Sequence, residues 1–251
     1  GAKEIANILV NYNLKNTELF IGANLTYPEQ ELFQGKPELF LNFHNPALCV
    51  VAVKNASPKL VKYPVLLPDS AFLRNQTPMT KEEIRAIILT KLRLQPDFIV
   101  WDIGAGTGSI SVECARFCKF GEVYAIEYKN SALEILEKNK NYFQLANLNI
   151  ISGTASKMIK NLPLPDCVFI GGTGGEFLDI FRQIKNLNQK IRLVISAVTL
   201  ESQAEIYPVL KNFPDLEITQ VSVSHAKAIK NYHILQENHP ILIYSCMIGD
   251  T

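Results

Sequence analysis

One stretch constrains the chain more than any other: Val100-Trp101-Asp102-Ile103-Gly104-Ala105-Gly106-Thr107-Gly108-Ser109. An apolar run ends in an acid, three glycines alternate with small residues, and a helical pattern opens at Ser109. That order describes a strand, a tight turn and a helix. Glycines let backbone N–H groups come close to a ligand, and the start of the next helix adds partial positive charge. The stretch therefore reads as a nucleotide-cofactor loop. A phosphate-cradling loop ends in Gly-Lys-Ser/Thr, and Gly108-Ser109-Ile110 has no lysine. The dinucleotide spacing G-x-G-x-x-G is also absent, because these glycines run G-x-G-x-G. S-adenosylmethionine remains. Its methionine end carries an ammonium near a sulfonium, which suits Asp102, whereas a pyrophosphate does not. The plain structural alternative is a tight connection with no ligand.

A second strand supports the cofactor reading. Glu122-Val123-Tyr124-Ala125-Ile126-Glu127 is a short apolar run that also ends in an acid. In a βαβ unit, an acid at the end of the second strand accepts hydrogen bonds from both ribose hydroxyls. Asp102 is thus expected near the amino-acid end of the cofactor and Glu127 on its ribose. Taken alone, Glu127 reads as a surface carboxylate. The pattern D-x-G-x-G-x-G resembles the first motif of class I methyltransferases.

The chain has 251 residues, enough for one large domain or a domain plus a fragment. Its net charge of +1 supplies no global basic field to draw in nucleic acid. No apolar run reaches the roughly 18 residues a membrane crossing needs, and no signal peptide opens the chain. A cytoplasmic protein is expected, with no membrane or nucleic-acid partner. Of five cysteines, Cys114 and Cys118 lie one helical turn apart. No nearby His or Cys completes a metal site, so they read as buried thiols.

From about Thr80 onward, strands and helices alternate. Thr80-Lys81-Glu82-Glu83 reads as a capping box, with Thr80 as N-cap of a helix running through Leu92. Strands are expected at Phe98–Asp102, Val123–Glu127, Leu148–Ile151, Cys167–Ile170 and Arg192–Ser196. Helices are expected at Ser109–Phe117, Ser131–Leu145, Glu176–Asn186 and Ser202–Phe213. Two late strands, Leu216–Ser224 and Pro240–Met247, are joined by a polar loop and return antiparallel. The pattern predicts a doubly wound α/β sheet. The first 55 residues do not fit it. Ile5–Val10 is helix-like, Glu18–Ile21 and Cys49–Val53 are strand-like, and Asn24–Gly35 is polar. Such a segment is too short to bury much core alone. A first residue of Gly rather than Met suggests a cleaved tag or a chain boundary.

Three more segments make the likeness specific: Pro78-Met79-Thr80-Lys81, Phe169-Ile170-Gly171-Gly172-Thr173-Gly174-Gly175 and Ala197-Val198-Thr199-Leu200-Glu201. Together with the glycine loop they resemble the decarboxylating precorrin C15-methyltransferases of cobalamin synthesis, over about Leu67 to Met247. Ile5-Ala6-Asn7-Ile8-Leu9 and Asn24-Leu25-Thr26-Tyr27-Pro28-Glu29-Gln30 resemble the final part of a tetrapyrrole C5-methyltransferase domain. In bifunctional proteins that domain precedes the C15 enzyme.

The resemblance implies a class I S-adenosylmethionine-dependent methyltransferase fold. This is a Rossmann-like, seven-stranded, mostly parallel sheet with helices on both faces, plus a small N-terminal α/β fragment. It implies a tetrapyrrole-methylase-like fragment over 1–55, a linker over 56–66 and the methyltransferase domain over 67–251. Thr80 would border the cofactor, and Gly104, Ala105, Gly106, Thr107 and Gly108 would wrap its methionine end. Glu127 would hold the ribose, and Gly153, Thr154 and Ala155 would line the adenine. Relatives carry an acid where Thr154 stands. Thr154 is therefore either a weaker hydroxyl acceptor or an ordinary strand-exit residue.

A substrate rich in carboxylates implies basic and backbone donors. Candidates are Arg74, Lys81, Gly171, Gly172, Gly174, Gly175, Thr199 and Glu201, while Arg74 and Lys81 also read as solvated surface charges. Lys227, Lys230, His225 and His233 lie in the late loop and are not assigned to the site. No residue is assigned a catalytic role and no metal is expected, since alignment and an electron-accepting macrocycle suffice for methyl transfer and loss of CO₂. A homotetramer is implied by the resemblance. A methyltransferase acting on RNA, protein or another small molecule, and a non-catalytic cofactor-binding module, are the alternatives. Gly171 to Gly175 stands where base-amine methyltransferases carry an Asn/Asp-Pro-Pro-Tyr-like motif.

Overall fold

The computed structural model describes residues 1–11, 14, 17–44, 46, 48–55, 64–187, 189–237 and 239–249. The chain divides into two compact units, Gly1–Tyr63 and Pro64–Thr251. Of the expected linker over 56–66, residues 56–63 lie outside the described residues.

The first unit holds helix α1 (Ala2–Asn11) and strands β1 (Thr17–Ala23), β2 (Glu31–Gly35) and β3 (Cys49–Asn55). The strands form an antiparallel sheet in the order β2-β1-β3. Small as it is, the unit encloses a core of its own: Ala2, Ala6 and Leu9 pack with Leu19, Ile21 and Phe40. Strand β2 lies in the segment that reads only as polar. It is an edge strand whose five residues are all exposed or half-buried, so apolar alternation is weak there.

The second unit opens with a strap, Leu67 to Lys81, and then helix α2 (Glu82–Leu92). Strand β4 (Ile99–Ile103), α3 (Ser109–Phe117), β5 (Glu122–Glu127), α4 (Asn130–Phe143) and β6 (Leu148–Ser152) follow. After these come α5 (Ala155–Met158), β7 (Cys167–Ile170), α6 (Phe177–Lys185), β8 (Ile191–Ala197) and α7 (Leu200–Leu210). The chain closes with β9 (Glu217–Val221), β10 (Ser224–Ile229), β11 (Tyr232–Glu237) and β12 (Ile241–Ile248). The main sheet has seven strands in the order β6-β5-β4-β7-β8-β12-β9. The first five are parallel, and β12 runs antiparallel to both β8 and β9.

Alternate residues of each strand face opposite layers of helices. Val100, Val123, Ala125, Cys167 and Phe169 pack on α2, α3 and α4. Trp101, Ile103, Ile126, Val168 and Ile170 pack on α5, α6 and α7. Strands buried on both faces explain why the sequence reads as continuous apolar runs there. Asp102 shares the face of Val100, so its carboxylate is carried under the start of α3.

Two expectations fail. Thr80 does not cap α2. Lys81 occupies the N-cap in an extended conformation, and no side chain caps the helix. The Thr80 carbonyl instead accepts from Arg85 Nη1 at 2.6 Å, and Glu82 and Glu83 in the first turn complement the helix dipole. The late polar loop is the antiparallel hairpin β10–β11, separate from the main sheet and exposed along both strands. Neither of its faces is buried, so no alternation marks it in the sequence.

Cys114 and Cys118 are buried as expected. Burial raises the Cys114 thiol well above its usual value and pushes Cys118 up to about 12. Among the described residues no group of side chains is arranged to hold a metal. No helix among them is long and apolar enough to cross a membrane.

Candidate cofactor and substrate site

The sheet order reverses between β4 and β7, and ligands of open α/β sheets bind beyond the carboxyl ends of the strands at such a switch point. A cavity of about 840 Å³ opens there, within the range of small-molecule sites. Its walls are the strap from Asn75 to Lys81, the loop after β4, the ends of β5 and β6, and the loop after β7.

The loop after β4 is held in place by backbone bonds. Gly104 N and Ala105 N donate to Ile126 O at 3.0 and 3.1 Å, and Gly108 N donates to Ala105 O at 2.9 Å. Gly104 has φ +74°, and a Cβ there would lie 2.4 Å from Gly172 O. Two strand-end loops thus touch backbone to backbone at the switch point, and only the absence of a side chain allows it. Gly108 is the N-cap of α3, with no side-chain cap of its own. A Cβ on it would meet Leu136 Cδ1 at 2.1 Å. It packs on α4 and does not line the cavity.

Asp102 lies at the cavity floor and is 1 % exposed. Ser111 Oγ donates to its Oδ2, while Oδ1 is buried with no partner among the described residues. Desolvation pushes this carboxyl up to about 7, partly opposed by hydrogen bonds from Ser111, with the nearby Glu127 charge adding to the rise. An orphaned buried acceptor on a residue that lines a cavity is a costly feature unless a donor or cation completes it.

Glu127, at the end of β5, is organised by the backbone. Gly106 N donates to Oε2 at 3.0 Å, and Tyr128 N and Lys129 N donate to Oε1 at 2.8 and 2.9 Å. These bonds fix the carboxylate at the cavity wall and tie it to the glycine loop. On the far side, Gly153, Thr154 and Ala155 also line the cavity. The Thr154 hydroxyl is buried and has no partner among the described residues, although its carbonyl caps α5 by accepting from Lys157 N and Met158 N.

The structure also shows what holds the strap. Arg85 on α2 is fully buried and donates to Asp69 Oδ1 (2.7 Å), Thr80 O (2.6 Å) and Leu67 O (2.5 Å). Its guanidinium lies 4.7 Å from the centre of the Phe72 ring. Asn139 on α4 accepts from Leu73 N at 2.9 Å and donates to Leu73 O (3.1 Å) and Thr107 O (2.9 Å). One buried amide therefore joins the strap to the glycine loop. None of Asp69, Arg85, Ser111 and Asn139 is singled out by sequence reading. For Arg85 and Asn139 a signal existed, since each is a polar residue within the buried stripe of its helix.

The substrate candidates divide. Lys81, Gly171, Gly172 and Gly174 line the cavity together with Thr80. Arg74, Gly175, Thr199 and Glu201 do not. Thr199 is the N-cap of α7 and accepts from Ser202 N at 3.2 Å. Its hydroxyl serves the helix, and Glu201 sits exposed in the first turn of that helix. His225 faces Glu83 at 3.4 Å, outside the cavity.

A profile of the precorrin methyltransferase domain matches residues 71–248. The chain belongs to the precorrin methyltransferase domain family. It is 36 % identical over 183 residues to the probable cobalt-precorrin-6B C(15)-methyltransferase (decarboxylating) of Methanococcus vannielii, covering 71 % of this chain and 97 % of that protein. Among solved structures, the precorrin-6y C5,15-methyltransferase of Geobacter metallireducens aligns with a TM-score of 0.68 at 32 % identity. That alignment covers 73 % of this chain and 98 % of the other. The precorrin 8w decarboxylase of Methanobacterium thermoautotrophicum aligns with a TM-score of 0.67 at 27 % identity, covering 72 % and 99 %. The architecture is the class I methyltransferase fold.

The Gly104–Gly172 contact yields a paired expectation. Gly104→Ala adds a clash to a left-handed backbone and should lower unfolding stability by about 2–4 kcal/mol. A Cβ on Gly172 would meet nothing within 4 Å, so Gly172→Ala should change stability by less than about 1 kcal/mol. Urea unfolding of both variants checks this, and equal losses would contradict the packing argument.

Proposed function

We propose that this chain transfers a methyl group from S-adenosylmethionine to C15 of a precorrin-6B-type tetrapyrrole and that the C12 acetate side chain loses its carboxyl group as CO₂, leaving a methyl group on the ring. The observation that carries the reading is the cavity at the switch point. It joins a glycine loop, two strand-end carboxylates and a second glycine loop in a chain of the precorrin methyltransferase family. The names of the relatives, which include C15-methyltransferases and a decarboxylase, support the same reading.

The residues fit the cofactor. Asp102 offers a buried acceptor to the amino-acid end, Glu127 a fixed carboxylate to the ribose, and Thr154 an unpartnered hydroxyl to the adenine. The loop from Gly104 to Thr107 supplies the close backbone approach. S-adenosylmethionine, when bound, supplies an activated methyl group on a sulfonium. The chain's own contribution is to align the acceptor carbon with that methyl and to keep water out. The exposed backbone at Gly171, Gly172 and Gly174 can donate to acidic substituents of the macrocycle. The macrocycle itself accepts the electron pair released with CO₂.

The same proposal places the protein in the cytoplasm and makes it a homo-oligomer, a tetramer by resemblance. The exposed apolar side chains Ile229, Tyr232 and Ile234, which share one face of the β10–β11 hairpin, favour self-association. The first unit is read as the tail of a tetrapyrrole-methylase-like domain on the strength of its resemblance.

Incubation with S-adenosylmethionine and a precorrin-6B-type tetrapyrrole, followed by mass spectrometry, tests the reaction. The expected product has gained one methyl and lost one CO₂. A methyl gain without CO₂ loss removes the decarboxylation, and no gain with cofactor bound removes the acceptor assignment. Asp102 adds a pH dependence. Its carboxyl titrates at about 7, so it is neutral below that value and anionic above it. Calorimetric affinity for the cationic cofactor should therefore rise several-fold from about pH 6 to pH 8. Asp102→Asn should bind more weakly with a flat profile, and a flat wild-type profile would remove the ammonium role.

A further inference from the structure

The strap and α2 bring three cations to one carboxylate, Asp69, beside the cavity. Arg74, Lys81 and Arg85 all pair with Asp69. Arg85 is fully buried and holds Oδ1 at 2.7 Å, so the Asp69 charge is committed to it, because an unpaired buried guanidinium is strongly unfavourable. Arg74 Nη2 and Lys81 Nζ reach the other oxygen, Oδ2, at 3.1 and 3.6 Å, and their side chains are 43 % and 46 % exposed. Exposed pairs of this kind are weak and exchange readily with solvent. Both cationic heads thus lie within 4 Å of one oxygen, at a mouth where Lys81 lines the cavity and Arg74 precedes the lining residue Asn75.

We propose that Arg74 and Lys81 form a two-point clamp for carboxylate side chains of the macrocyclic substrate, with Asp69 as the internal partner they leave on binding. This rests on the tetrapyrrole reading above. Arg85 keeps Asp69 and the carbonyls of Leu67 and Thr80 in place, so the two partly exposed cations are presented from a fixed base. The guanidinium offers a planar two-donor fork and the ammonium a rotatable point charge, which together suit two neighbouring carboxylates of unlike orientation. The site is selective for charge number: a ligand with one carboxylate replaces one contact to Asp69, and a ligand with two replaces both.

The test is a fluorescence titration of the full chain with uroporphyrin, a planar tetrapyrrole bearing acetate and propionate groups, at saturating S-adenosylhomocysteine and at two salt concentrations. The double variant Arg74→Gln, Lys81→Gln should bind the porphyrin about tenfold or more weakly, equivalent to about 1.4 kcal/mol, and lose most of its salt dependence. Affinity for S-adenosylhomocysteine and the urea midpoint should stay unchanged, and Lys81→Arg should retain porphyrin binding. Unchanged porphyrin affinity in the double variant overturns the clamp. So does a parallel loss of S-adenosylhomocysteine affinity, which would place the pair at the cofactor. Displacement of the porphyrin by inorganic phosphate at an ionic strength at which chloride leaves it bound would make the site a phosphate site and also overturn it. If the wild type binds porphyrin through this pair but turns over no precorrin, the clamp stands and the reaction reading falls.

Discussion

The backbone contact between Gly104 and Gly172 is the constraint on which the site depends. It lies where the sheet order reverses, so the loops after β4 and β7 leave the sheet side by side. A side chain at Gly104 would hold them apart and lift the glycine loop from the ends of β4 and β5. Because the contact is bare backbone, Ile126 O receives both Gly104 N and Ala105 N, and the Glu127 carboxylate comes within reach of Gly106 N. The cavity is a consequence of this closeness: two loops pinned at their roots spread apart above them.

The polar groups around the cavity sort by how completely the protein satisfies them. Glu127 takes three backbone N–H bonds and is held rigidly. Asp102 and Thr154 each keep one buried oxygen unpartnered, which is where a fold leaves energy to be recovered by a ligand. The strap is organised oppositely. Arg85 and Asn139 are buried polar groups that fasten it, the first to α2 through both terminal nitrogens and the second to α4 and the glycine loop, while Arg85 Nε has no partner among the described residues. A rigid floor, two unmet acceptors and a fastened wall make a site ordered before binding.

Most of the fold was legible because its strands are buried on both faces and its helices on one. The strands from Cys167 to Ile170 and the helix from Ser109 to Phe117 begin and end where the pattern places them. The glycine loop and the strand-end acids Asp102 and Glu127 were legible as local signals, and the structure brings them to one cavity. What escaped depends on which groups the fold buries and which partner each of them finds. Thr80 looks like a cap until Arg85 claims its carbonyl and leaves the chain extended through Lys81. Thr199 looks like a substrate contact but caps α7. Asp69 carries no local signature, because its importance arises only when Arg85 is buried beneath it. The β10–β11 hairpin escaped because neither face is covered, which leaves no periodicity to read.

The most direct test of the account is an experimental structure of the chain with S-adenosylhomocysteine bound. The nucleoside should lie at the switch point between β4 and β7, with the ribose hydroxyls on Glu127, the amino-acid end over Asp102 and the adenine beside Thr154. A ligand seated elsewhere, or one that reaches the cavity without touching Asp102 and Glu127, would contradict it.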